Sequence, residues 1–168
     1  MTSILKVSEI QDPTNGNSAL TVDTSGRIST PARPSFGARG YVGAVTGQGY
    51  QKTSYYNAID HNIGSHFDNS TTTGAKFTAP VAGVYHFIHF MGLRGANGNY
   101  LGLHISKNGS NYLEGWSSNG VSSNHDSITV AAYMQLAVGD IIRAGWHGDY
   151  QGPSTDNVYG GFSGCFIG

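Results

Sequence analysis

Seven histidines and one cysteine are the side chains whose chemistry first suggests a metal site. They are His61, His66, His86, His89, His104, His125, His147 and Cys165. Zinc sites place imidazole and thiolate ligands at short, regular spacings, and the chain has neither a His-x-x-x-His pair nor a closely spaced Cys and His. His86 and His104 could face each other on neighbouring strands, and such a pair, repeated in associated copies of the chain, stays open as a way to hold a metal or an anion. We predict no metal site within one chain and no cofactor.

The carboxylates and candidate nucleophiles do not form a catalytic set. Ser163 lacks the second glycine of a Gly-x-Ser-x-Gly elbow, and Cys165 lies in a predicted strand where a nucleophile would be buried. The acidic residues are scattered, and Asp149 and Asp156 in one loop match no calcium motif. The sequence predicts a protein that is not an enzyme, with a capsule depolymerase kept as an alternative.

Aromatic side chains in or beside loops are the better candidates for binding. Their rings stack on sugars or anchor protein partners, and polar loops on a rigid sandwich are where recognition usually sits. The same residue types also fill cores and subunit contacts, which is their commoner use. The candidate ligand contacts are Tyr50, Tyr55, Tyr56, Trp116, Asn119, His125, Trp146 and Tyr150.

Composition indicates that these side chains are positioned by β-strands. The 168 residues include 25 glycines, and only 11% are charged, a bias that favours strands and turns over helices. The formal charge of −1 has no polybasic stripe, so we predict no nucleic-acid partner. No apolar run is long enough to span a membrane, and the first residues lack the pattern of a signal peptide. We therefore expect that the chain does not insert into a membrane. We expect it to be assembled in a cytoplasm.

Alternating apolar and polar residues predict several strands between residues 35 and 168. Ile128, Val130, Met134 and Leu136 would share one face of a strand, and Asn108-Gly109 is the signal of a tight hairpin. Seven to ten such strands with glycine-rich turns and no helical period predict a sandwich or jelly roll. We call residues 35–168 the knob.

Residues 1–34 differ from the knob and are predicted to be an attachment arm. Two or three short strands with tight turns are followed by Pro31 and Pro34, which favour an extended linker. Such a meander cannot bury a core alone, so it must dock on a partner. Its apolar residues are Ile4, Leu5, Val7, Ile10, Leu20, Val22 and Ile28.

Four motifs in the knob resemble the globular domain of complement component 1q, a tumour necrosis factor-like jelly roll. They are Asn62 to Asp68 with Thr73 to Phe87, then Ser106 to Gly109, Leu136 to Asp140, and Phe162 to Ile167. The resemblance implies a ten-stranded jelly roll that packs as a homotrimer, and it departs from the usual pattern at Cys165. It makes Tyr85, Phe87, Tyr159 and Phe162 candidates for the core or the trimer axis.

The arm is similar to the openings of tailed-phage fibre and virion proteins, through Ser3 to Val7 and Asp23 to Ile28. That resemblance implies a bacteriophage virion protein, assembled in the host cytoplasm and held on the particle by its arm. The trimeric knob would recognise a host-surface glycan or protein. The alternative is a head decoration or cement protein that stabilises the capsid and binds no receptor.

Overall fold

The computed structural model of the protein describes residues 6–11, 13–14, 16, 18–46, 52–94, 101–117, 125–148 and 158–168. These residues form thirteen β-strands, which confirms the all-β prediction. The strands are β1 (Glu9–Gln11), β2 (Ser18–Val22), β3 (Ile28–Ser29), β4 (Ser35–Thr46), β5 (Lys52–Ile63), β6 (Phe67–Ser70), β7 (Gly74–Thr78), β8 (Gly83–Arg94), β9 (Leu101–Lys107), β10 (Ser110–Ser117), β11 (His125–Leu136), β12 (Ile141–Gly148) and β13 (Val158–Phe166). A search of this described part finds no helix with the length and apolar character needed to cross a membrane.

Strands β4 to β13 form one sheet that folds back on itself into two layers. Its order is β10-β9-β12-β5-β4-β13-β8-β11, with β7 beside β12 and β6 beside β7. The link between β12 and β5 is two residue pairs long, Gly145 with Thr53 and Trp146 with Lys52. The path turns at this link, and the inner layer β5-β4-β13-β8-β11 packs on the outer layer β10-β9-β12-β7-β6.

Period-two alternation decides which side chains fill the space between the layers. In β8, Tyr85, Phe87 and Met91 are buried, whereas Phe90 lies on the opposite face and is exposed. Phe36 of β4 stacks on Phe67 of the outer layer, with ring centroids 4.3 Å apart and ring planes 6° apart. Aromatic rings from both layers therefore join them, and burial of each such side chain stabilises the fold by roughly 1.5–3 kcal/mol.

The arm joins the knob at one of the two poles at which the strands end. At the arm pole the backbone N–H of Phe166 donates to Pro34 O at 3.0 Å, and Arg33 donates from Nη2 to Ile167 O at 2.7 Å. At the other end, which we call the distal pole, strands end in paired positions. These pairs are Thr46 with Lys52, Leu93 with Val158, Arg94 with His125, Leu101 with Ser117, and Leu101 with Gly148.

The arm forms a small antiparallel sheet of its own, in the order β1-β2-β3. None of its three strands pairs with a described strand of the knob. Of the predicted attachment residues, Val7, Ile10 and Ile28 are exposed. Leu20 and Val22 are half-buried, while Ile4 and Leu5 lie outside the described residues.

Candidate functional site

The predicted ligand contacts separate into buried, exposed and undescribed groups. Tyr50, Asn119 and Tyr150 lie outside the described residues, and His125 begins β11 at the distal pole. Tyr55 is half-buried in β5. Trp116 lies in β10 and is 58% exposed.

Two of these predictions are wrong. Tyr56 and Trp146 were predicted beside loops, but both are within strands, at positions whose side chains enter the core and are fully buried. The physical reason is alternation: Trp146 shares its face of β12 with the buried Ile142 and Ala144. Neither ring is available to a ligand in this fold.

Trp116 belongs to a group of polar and aromatic side chains on the outer layer, on the face away from the core. Gly102 of β9 pairs with Trp116 of β10 on one side and with His147 of β12 on the other. Since Gly102 has no side chain, the indole and the imidazole meet above it, with ring centroids 4.1 Å apart and planes 65° apart. A Cβ atom on Gly102 would lie 2.3 Å from Nε2 of His147.

Glu114 and His104 form the next row of the same face. They pair across β10 and β9, and the His104 ring lies 5.8 Å from the His147 ring. His104 is 4% exposed and His147 is 5% exposed. Among the described residues, none is a hydrogen-bond partner of Nδ1 of His104 or of either ring nitrogen of His147. We call Trp116, Glu114, His104 and His147 the outer patch.

His104 and His89 are neutral at neutral pH. The pKa of His104 is lowered to about 4. Burial is the largest cause, the neighbouring His147 acts in the same direction, and the Glu114 carboxylate opposes them. Burial, helped by the nearby His104 ring, lowers the pKa of His89 in the core to about 3, and a hydrogen bond with the His104 backbone opposes this shift. Neutral imidazole both donates and accepts a hydrogen bond, so these rings suit uncharged polar groups.

The histidine pair considered from the sequence is not formed. His86 lies on β8, which pairs with β13 and β11, whereas His104 lies on β9 between β10 and β12. His86 stacks instead on Tyr133, with ring centroids 4.5 Å apart. Within the part of the chain that the structure describes, no three His, Cys, Asp or Glu side chains are placed to hold a metal ion.

The inner layer also has an exposed side, which carries the largest concentration of exposed apolar residues. We call this side the apolar face; its large members are Ile59, Ile63, Phe90, Tyr133 and Tyr159. A depression of about 210 Å³ lies beside them, lined by Ser35, Phe36, His61, His86, Ile88, Ser163, Gly164 and Cys165. Of the four aromatic candidates for core or axis, Tyr85, Phe87 and Phe162 lie in the core and Tyr159 lies on this face.

Sequence reasoning missed Glu114, His104 and His147 as neighbours of Trp116. The hairpin signal at Asn108-Gly109 indicated that β9 and β10 pair, and the pairing itself would have brought Glu114 near His104. The exact partner of Trp116, however, depends on a register shift between Asn111 and Leu113 that the hairpin signal does not contain.

Comparisons with known proteins agree with this architecture. The sequence model of the C1q domain matches residues 41–167. The globular domain of the zebrafish complement 1qA protein is 19% identical, with a TM-score of 0.62 over 81% of this chain and 98% of that chain. Murine APRIL at pH 5.0 is 13% identical, with a TM-score of 0.54 over 78% of this chain and 98% of that chain.

At these identities the likeness to solved structures shows the fold, a jelly roll of the C1q and tumour necrosis factor-like kind. Such domains are typically non-enzymatic binding or structural domains. The family match covers well over half of the chain. The chain therefore belongs to the C1q domain family.

Proposed function

We propose that this chain is a bacteriophage virion protein, a homotrimeric knob held on the particle by its arm and used to recognise the host surface. It performs no catalysis. Its partners are two further copies of itself, other virion proteins at the arm, and a glycan or protein of the host surface. It is assembled in the host cytoplasm and resides in the virion.

The observation that carries this proposal is that the arm joins the knob at one pole, opposite the strand ends that meet at the distal pole. Arg33 and Pro34 join the arm to the knob beside Phe166 and Ile167, at one end of every knob strand. The opposite strand ends, such as those at Leu93 and Val158, lie together at the distal pole. A particle protein that is anchored at one end and displays loops at the other has this polarity, because recognition sits on loops carried by a rigid scaffold.

Self-association through the apolar face is the second step of the proposal. C1q and tumour necrosis factor-like domains form homotrimers. A cluster of exposed rings such as Phe90 and Tyr133 is unusual on a lone soluble domain and is a common mark of an interface. Closed threefold packing would cover this face on every copy and leave the outer layer exposed.

The trimer is tested on the full-length chain by light scattering. We expect three times the chain mass of 17.7 kDa for the wild type. Tyr133→Lys places a charge on the apolar face and is expected to lower the mass toward that of one chain. Val138→Lys is the matched control, because Val138 in the β11–β12 turn is 68% exposed, as is Tyr133, and lies off that face. A monomeric wild type would contradict the proposal.

The host-recognition role is tested by deleting the gene from a phage that carries it. Loss of adsorption by otherwise stable particles supports recognition. Loss of particle stability to salt and heat, with normal adsorption of surviving particles, would instead assign the chain to head decoration. Release of reducing sugar ends from host polysaccharide by the purified chain would overturn the non-enzymatic assignment.

A further inference from the structure

We propose that the outer patch is a binding site for a neutral sugar ring, with Trp116 and Glu114 as the contact residues and His147 and His104 as positioning residues. This inference deepens the proposed host-surface role and rests on it. The ligand class is a neutral hexose or N-acetylhexosamine unit of a surface glycan. Uronic acids and other anionic sugars are excluded from this class.

The indole of Trp116 supplies an apolar contact surface that is exposed but held in place. It is 58% exposed, and its ring is fixed by the perpendicular contact with His147 above Gly102. A large aromatic ring with one polar N–H is the side chain that most readily combines an apolar face with a hydrogen bond. Since the contact with His147 already restricts the ring, binding loses less conformational entropy.

Glu114 supplies a hydrogen-bond acceptor that lies close enough to Trp116 for one ligand to contact both residues. It precedes Trp116 by two residues on β10, so both side chains point to the same face with a separation of about 7 Å along the strand. The carboxylate is exposed and accepts a hydrogen bond from the Asn111 side-chain amide. Its remaining acceptor sites suit the hydroxyl groups of a sugar.

The floor of the patch contains polar atoms that lack partners. Within the part of the chain that the structure describes, Nδ1 of His104 and both ring nitrogens of His147 are buried without a hydrogen bond, which is unfavourable for each group left unsatisfied. Because these atoms are buried, the two imidazoles act on the ligand through exposed neighbours: the His147 ring contacts the Trp116 indole, and His104 lies opposite Glu114. These groups distinguish the patch from an ordinary exposed tryptophan.

The charges near the patch select against anionic ligands. Glu114 is its one charged member, and it repels carboxylates and phosphates. The cations within strands β9, β10 and β12 are Lys107 and Arg143. Lys107 binds Asp140, and Arg143 donates to the carbonyl oxygens of Thr73 and Gly74. Both cations are therefore already engaged, so a neutral ligand fits the patch best.

The position of the patch agrees with a role in the assembled protein. It lies on the outer layer, whereas the apolar face lies on the inner layer, so trimer formation through that face leaves the patch open. Three copies would act together, and multivalent contact strengthens weak sugar binding without any new contact.

The test uses the full-length, ¹⁵N-labelled protein and the indole N–H resonances of its two tryptophans. The probes are the methyl glycosides of glucose, galactose, mannose and N-acetylglucosamine, together with methyl glucuronide as the anionic comparison. We expect at least one neutral glycoside to shift the Trp116 signal in a saturable way at millimolar concentrations. The buried Trp146 is the internal control and is expected to stay unchanged.

Variants separate a binding site from a general effect on the fold. Trp116→Ala is expected to weaken glycoside binding about tenfold or more, as loss of a single aromatic anchor does. Tyr112→Ala is the matched control, because Tyr112 lies on the same strand, is 53% exposed and directs its hydroxyl to Tyr133 O. Circular dichroism checks that both variants fold. Trp116→Phe keeps an aromatic ring and is expected to retain part of the binding.

The outcomes also separate this inference from the function on which it rests. The same samples are tested for binding to host cells. Wild-type protein that binds cells as well as its Trp116→Ala variant, with no glycoside effect, would overturn the site and leave the host-recognition role intact. Glycoside binding that depends on Trp116, without any cell binding, would support the site and overturn the role. Equal binding of methyl glucuronide would overturn the assignment to neutral sugars.

Discussion

The indole of Trp116 and the imidazole of His147 lie with ring centroids 4.1 Å apart, although their strands are not neighbours. β9 runs between them, and the contact exists because Gly102 occupies the position of β9 that faces both rings. The exposed Trp116 and the buried His147 can therefore touch only because Gly102 between them has no side chain. Changes at Gly102 therefore test whether the order of the outer patch depends on this contact.

Gly102→Ala is expected to disrupt the outer patch and destabilise the knob. Its Cβ would lie 2.3 Å from Nε2 of His147, and His147 is buried, so the contact has to be relieved by a shift of the imidazole or of the strand. We expect the free energy of unfolding in urea to fall by about 1–3 kcal/mol, as for other overpacked sites, and the Trp116 indole resonance to move. Gly168→Ala is the control, since its Cβ meets nothing within 4 Å. Unchanged stability and an unchanged resonance would contradict this account.

Acid is expected to destabilise the knob through His89 and His104. Their pKa values in the folded chain, about 3 and about 4, lie below the usual 6.5, so below pH 6.5 the unfolded chain binds more protons than the folded chain. The free energy of unfolding therefore falls as the pH drops from about 6.5 toward 4, by up to about 1.4 kcal/mol per pH unit for each histidine that stays neutral when folded.

The measurement is a series of urea unfolding curves between pH 7.5 and 4.5. His104→Gln removes one titrating group and is expected to make the pH dependence shallower, whatever its effect on stability at pH 7.5. Val138→Gln is the control, because Val138 is exposed and carries no titrating group, so its change is expected to leave the slope as in the wild type. A His104→Gln variant with the full wild-type slope would exclude His104 as a source.

The register of β9 and β10 shows where prediction from sequence ends. The hairpin signal at Asn108-Gly109 is correct, and from its turn Ser110 pairs with Lys107 and Asn111 with Ser106. Continued without a break, that register would place Trp116 opposite Leu101, on the side of Leu103 and Ile105 that enters the core. A bulge at Tyr112 shifts Trp116 to Gly102 and turns it outward. No single residue type specifies such a bulge, so the outer patch could not be predicted.

Strand identity and the core were accessible because they follow from alternation alone. The apolar positions of β11 alternate as expected, with Val130, Met134 and Leu136 buried and Tyr133 exposed. Trp146 was predicted to contact a ligand because aromatic residues beside loops suggest binding, yet the alternation of Ile142, Ala144 and Trp146 already indicated a buried face. The prediction for Trp146 was wrong because it followed the residue type, whereas the period-two alternation of the strand decides which side chains are buried.

The carboxylate of Asp140 links the β9–β10 hairpin to the turn between β11 and β12, and we expect this link to stabilise the knob. Its carboxylate accepts from Lys107 Nζ at 2.8 Å, from Asn108 Nδ2 at 2.8 Å and from the backbone N–H of Ala137 at 2.8 Å. These bonds, with that of Lys107 first, lower the pKa of Asp140 to about 2. The contribution is therefore present above about pH 4 and lost as the pH falls through 2.

Asp140→Asn is expected to lower the melting temperature at pH 7 by a few degrees, because it removes the charge and one acceptor oxygen. Asp68→Asn is the comparison, since Asp68 forms a longer ion pair, 3.5 Å to Lys76, on an exposed surface. Scanning calorimetry at pH 7 measures both. A larger loss for Asp68→Asn than for Asp140→Asn would contradict this ranking.

Substitution of the exposed apolar residues of the arm is expected to separate attachment from folding. Val7, Ile10 and Ile28 contribute little to the knob, because β1 to β3 pair only with each other and these side chains are exposed. A triple change to serine is therefore expected to leave urea unfolding of the knob within about 0.5 kcal/mol of the wild type. If the arm docks on a virion protein, the same change removes the apolar area that drives docking, so fewer copies of the chain are expected on purified particles. Quantitative immunoblotting of particles measures this, and normal incorporation of a well-folded triple variant would rule out apolar docking through the arm.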